Sequence, residues 1–168
     1  MGWGLRCAVA HCACHGSTDH ADPSHSGLLL QRPSAAGGAA EQDRLTVHRI
    51  SELSLARARI AYLSACLTAE NEVAWLSDEV IHVVSGFQVT GFPHVVGCLW
   101  PSIDDVCVKV ASEFYRLLLR PGATGWEGGA VAAAIQGAVL SLREEYREMP
   151  LFWAQFVHPQ PADGAGGC

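Results

Sequence analysis

Charge is scarce in this chain, and positive charge is scarcest. Only 17% of its 168 residues are charged, and 17 acidic against 11 basic side chains leave a net charge of −6. Phosphate backbones need a positive surface, so a general nucleic-acid binder is excluded. Long apolar runs are also lacking. None approaches the roughly 18 residues of a membrane-spanning helix, so no membrane partner is expected. Arg6 and the apolar Cys7–Ala10 open like a secretion signal, but His11 and His15 interrupt the stretch and the signal reading fails. A disulfide scaffold is lacking too. The seven cysteines are an odd number, and Cys66, Cys98 and Cys107 sit in apolar surroundings, which points to a reducing, cytoplasmic setting. What the chain does have is apolar content. At 49% hydrophobic it is no disordered polymer, and its length suits one domain with a real core.

Periodicity sets the elements. Residues 5–14 form a strand-like run ending at His15-Gly16, and residues 16–26 read as a loop. Gly27–Leu30 reads as a short strand, and residues 32–44, rich in Ala, Gly and Pro, as a flexible insertion. Thr46 is placed to cap a short helix reaching about Leu53. Arg59–Ser64 is a compact buried strand with Ala65-Cys66 at its end. Ser77 caps a helix with Asp78 and Glu79 in its first turn, which Gly91 stops. His94–Trp100 is the next strand, closed by Pro101. Val106, Val110, Phe114 and Leu117 mark one helix, and Ile135, Val139, Leu142 and Tyr146 another. Phe152–Val157 is expected as a final strand. Strands alternating with helices imply an α/β fold with a mostly parallel central sheet flanked by helices.

Two apolar strands thus end in reactive side chains, His15-Gly16 and Ser64-Ala65-Cys66. In open parallel sheets, sites form beyond the carboxyl ends of strands. If these strands are neighbours, an imidazole and a thiol meet there, which is what a cysteine nucleophile needs. Caspases likewise place the histidine about 50 residues before the cysteine. Gly16 lets a backbone N–H approach a substrate carbonyl, and the N–H groups of Gly16 and Cys66 are candidates for an oxyanion hole. The plain alternative is a small buried hydrophobe at Cys66 and a turn residue at His15.

Six motifs in order carry a resemblance. They are Ala10-His11-Cys12-Ala13-Cys14-His15-Gly16, then Leu63-Ser64-Ala65-Cys66-Leu67-Thr68-Ala69, then Ser77-Asp78-Glu79-Val80-Ile81-His82. Val95-Val96-Gly97-Cys98-Leu99-Trp100, Glu113-Phe114-Tyr115 and Phe152-Trp153-Ala154-Gln155-Phe156-Val157-His158 complete the set. In these motifs the chain resembles the CHAT domain, a caspase- and separase-like cysteine peptidase domain often found after tetratricopeptide repeats, and it looks most like the fungal branch. The resemblance implies a caspase-like α/β sandwich over residues 5–158; residues 159–168, rich in Gly, Ala and Pro, are expected as a disordered tail. It implies hydrolysis of a peptide bond in a protein or peptide substrate, with Cys66 as nucleophile and His15 as its histidine. By analogy with separases, Asp104 is a candidate for accepting a basic substrate side chain. No cofactor is expected, and the only further partner implied is a repeat segment in a longer parent chain.

The chain also departs from the family. Family domains carry further elements before the histidine strand, so this one reads as the C-terminal portion of such a domain, truncated at its N-terminus. Leu67 follows the cysteine where Gln or Glu is usual. An inactive interaction or scaffold module, or a fragment, is therefore the alternative to a peptidase. The cluster His11, Cys12, Cys14, His15, His20, His25 has zinc-type ligands. On a straight strand, however, His11 and His15 would lie roughly 13 Å apart, so no metal is expected. His82 is expected to be an ordinary helix residue, and Trp100 and Trp153 to be core aromatics.

Overall fold

The computed structural model describes residues 8–19, 21–34, 37–64, 66–67, 77–101, 103–122, 126 and 129–159. Its first sheet contains β1 (Val9–Cys12), β5 (Ile60–Leu63), β7 (His94–Cys98) and β8 (Phe156–Val157), in that order. The first three strands run parallel, and β8 is antiparallel to β7. A second sheet has the order β4 (Glu41–Thr46), β3 (Gly27–Arg32), β2 (His15–Ser17), β6 (Cys66–Leu67). Here β3 is antiparallel to β2 and β4, while β6 is parallel to β2.

The first sheet lies between two helical layers. Every residue of β5 is buried, as expected for a central parallel strand covered on both faces. Its side chains alternate between the layers. Ala61 and Leu63 join Val83, Val84 and Phe87 of α2 (Ser77–Val89) and Ile50 of α1 (Val47–Ser51). Ile60 and Tyr62 join Val106, Val110 and Phe114 of α3 (Asp104–Leu118) and Val131, Ile135 and Leu142 of α4 (Gly129–Glu145). The expected α/β architecture, a mostly parallel sheet flanked by helices, is the one observed.

Local chemistry explains the boundaries. Thr46 caps α1 as expected, its hydroxyl accepting from the Arg49 N–H at 3.2 Å. Gly91 ends α2 with φ +109°, and a Cβ there would sit 2.9 Å from the Leu55 carbonyl oxygen. α3 buries 106, 107, 110, 111, 114 and 118, so Leu118, one position beyond the expected Leu117, closes its apolar stripe.

Several expectations are corrected. Residues 32–44 are not wholly a flexible insertion, because Glu41–Thr46 forms β4, which pairs with β3 along its whole length. The Ala, Gly and Pro of the connection masked a hairpin whose stem carries an Arg32–Glu41 ion pair at 2.9 Å. The loop expected over 16–26 holds the end of β2 and a 3₁₀ turn, Pro23–His25. Phe152–Val157 is strand only at its last two residues, because Pro150 opens a short helix, α5 (Pro150–Trp153). A short apolar run does not by itself separate strand from helix. The expected tail lies, apart from Pro159, outside the described residues, as do the side chains of Ser77, Asp78 and Glu79.

Candidate active site

Strands β1 and β5 do not end where sequence periodicity places their ends. Each leads from the first sheet into the second, β1 into β2 and β5 into β6. The two chains stay paired across the step. Cys12 is opposite Leu63 in the first sheet, and His15 is opposite Cys66 in the second, with no slip of register. His15 and Cys66 are thus immediate ladder neighbours, on strands spaced about 4.8 Å apart. Gly16 is buried, with Leu28 on one side and Leu67 on the other.

His15 is exposed and lines a cavity of about 690 Å³. Ser64, Cys14 and His11 border the same space from the strand side. Asp104 and Tyr115 border it from α3. Asp104 opens α3, where an acidic residue complements the positive end of the helix dipole. Its carboxylate is the only one lining the cavity among the described residues. Burial pushes the Cys14 thiol up from its ordinary pKa, which disfavours its thiolate. Cys98 and Cys107 are buried as expected.

The step between sheets also bends the chain between His11 and His15, so the straight-strand separation does not apply. Even so, among the described residues no three His, Cys, Asp or Glu side chains are placed to hold a metal ion. His82 is an exposed residue of α2. Trp100 is half-buried and donates from Nε1 to the Leu151 carbonyl at 2.9 Å. Trp153, also half-buried, lies under the Arg143 guanidinium at 5.3 Å. No helix among the described residues is long and apolar enough to cross a membrane.

Sequence reasoning missed two histidine arrangements. His11 packs against Tyr62 and Tyr115, with ring centroids 4.9 and 5.6 Å away. His94, only 8% exposed, stacks on His158 with Nδ1 and Nε2 3.1 Å apart. The partners lie far apart in the chain, so no local pattern announces either.

The three-layer α/β fold, a mostly parallel sheet flanked by helices, is consistent with the caspase-like class. The family model for the CHAT domain matches residues 5–159, and the chain belongs to that family. A search of the curated proteins found no match.

Proposed function

We propose that this chain is a cysteine endopeptidase domain working through a Cys66–His15 dyad. The observation that carries the reading is the ladder register of His15 with Cys66, with His15 also lining a cavity of about 690 Å³. The Cys66 thiolate attacks the scissile carbonyl carbon, and the N–H groups of Gly16 and Cys66 receive the oxyanion. His15, protonated, passes its proton to the leaving amine as the C–N bond breaks, leaving a thioester on Cys66. His15 then takes a proton from water, which attacks the thioester, and the acid product and free thiol are released. Asp104 lines the same cavity and supports a preference for a basic side chain on the acyl side of the cut.

The experiment is covalent labelling by a peptidyl electrophile. We expect labelling of the wild type, loss of labelling in Cys66→Ala, and slowing by about 10²-fold or more in His15→Ala. Equal labelling of wild type and Cys66→Ala would refute the mechanism. A second reading, an inactive interaction module of the same fold, is favoured by Leu67, which places an apolar residue directly after Cys66. It requires a cooperatively folded chain that is not labelled at all.

A further inference from the structure

The edge of the first sheet farthest from β1 is held by groups that the proposed chemistry does not use. β8 covers β7 there with only two residues, Val157 opposite Gly97 and Phe156 opposite Cys98. The chain is tied down on both sides of that short ladder. On one side the Leu99 N–H donates to the Gln155 carbonyl at 2.8 Å. On the other, His158 lies on His94, the first residue of β7. Their ring planes are 29° apart, and His94 Nδ1 is 3.1 Å from His158 Nε2. Gln88 of α2 adds one exposed bond, from Nε2 to the Pro159 carbonyl at 3.0 Å.

Two imidazoles at that distance can share one proton but not take up two. An N–H···N bond needs one nitrogen with a hydrogen and one without. Two neutral rings meet this need, and so does a charged ring facing a neutral one. Two charged rings set N–H against N–H and bring like charges into contact. His94 is held in place, being 8% exposed and donating also to the Trp126 backbone. His158 is half-buried, and exposed Pro159 follows it. No other charge offsets the pair. From β5 comes Arg59, whose carbonyl accepts the His94 N–H at 3.2 Å and whose side chain is exposed. Gln88 from α2 and Trp126 from the segment before α4 are neutral. Among the described residues no carboxylate acts on either ring.

The strand that this pair holds can leave without the core. Both core clusters are built from other elements, and Phe156 only packs, partly buried, against one of them. Its departure would open the backbone edge of β7.

We propose that His94 and His158 form an acid-released latch for β8. While at least one ring is neutral, the strand stays on β7. When both rings are protonated it lets go, and the β7 edge opens while the rest of the sheet holds. Burial supports this by disfavouring charge on both rings, and His94 disfavours it further on His158.

The test is amide hydrogen exchange of the full chain, read as protection factors so that the intrinsic pH dependence of exchange drops out. Readings at about pH 7.5 and about pH 5 bracket the ordinary histidine value and stay above the ordinary carboxylate range. Each released ring regains its ordinary pKa, so protection of the β8 amides should fall by about tenfold or more at the lower pH, and that of β5 by less than about twofold. His158→Phe keeps a ring on His94 and carries no charge, so β8 should then stay protected within about twofold at both pH values. His158→Gln serves if circular dichroism shows that His158→Phe does not fold. His11→Gln and His15→Gln should leave the acid loss intact. Equal protection of β8 at both pH values overturns the latch. So does an acid loss that survives the His158 variant. An equal loss in β5 overturns it too, because the whole domain then unfolds rather than one strand.

Discussion

Replacing Tyr62 with phenylalanine should stabilise the protein, although the residue lies at the centre of the core. Tyr62 is 1% exposed and packs against Phe114 and Tyr115, with centroids 5.3 and 5.8 Å away. Its Oη is buried and has no hydrogen-bond partner among the described residues. Burial also drives its pKa far above the phenol range, so the group is a neutral hydroxyl throughout. A buried polar group left without a partner costs about 1–3 kcal/mol, and tyrosine to phenylalanine removes that cost while keeping the ring and leaving almost no void. In a domain of this size each 1 kcal/mol moves Tm by about 2–4 °C. Tyr62→Phe should therefore raise Tm by at least about 2 °C in a calorimetric or circular dichroism melt. Phe114→Ala, which opens a cavity beside the same ring, should cost about 3–5 kcal/mol in the same assay. A Tm for Tyr62→Phe below that of the wild type would refute the reasoning, because it would mean the hydroxyl has a favourable partner.

Three further outcomes are expected. Gly91→Ala forces a side chain into φ +109° and into the Leu55 carbonyl. It should cost about 1–3 kcal/mol, read as a lower urea midpoint at unchanged slope. Gly27→Ala would place a Cβ 2.2 Å from the Leu45 carbonyl oxygen, so β4 must part from β3 at that end. Hydrogen exchange should speed up at β4 amides and stay slow in β5 and β7. His94 and His158 are both held below the ordinary histidine pKa, His94 by burial and His158 by burial and then by His94. The unfolded chain therefore binds more protons as pH falls through the ordinary value near 6.5. Stability is full above that value and is lost below it, towards the lowered folded values. Melts between about pH 8 and pH 5 should show the loss, and His158→Gln should shrink it.

How much was legible in advance depended on how local each signal was. The buried strands β5 and β7, the cap at Thr46, the stop at Gly91 and the apolar stripes of α3 and α4 all follow from neighbours a few residues apart. Those neighbours act through backbone geometry and burial, so the sequence displays them directly. The hairpin strand β4 and the short helix α5 depart from the expectation for a related reason. Each is short, polar or ambiguous alone, and its state is decided by the segment it meets. The site divides in the same way. His15-Gly16 and Ser64-Ala65-Cys66 stand out as residue types, and ordered motifs name the family. That β1 and β5 step together into a second sheet, and so keep His15 opposite Cys66, is a matter of register.

The sequence by itself determined the α/β class, the order of its main elements and the identity of the candidate nucleophile and histidine, because periodicity, caps and motifs are written in consecutive residues. Only the tertiary structure decided which side chains share a cavity with His15. Asp104, Tyr115 and His11 reach it from α3 and β1, and His94 meets His158 across β7 and β8. These meetings are set by how helices and strands pack over distances that the chain's local chemistry does not encode.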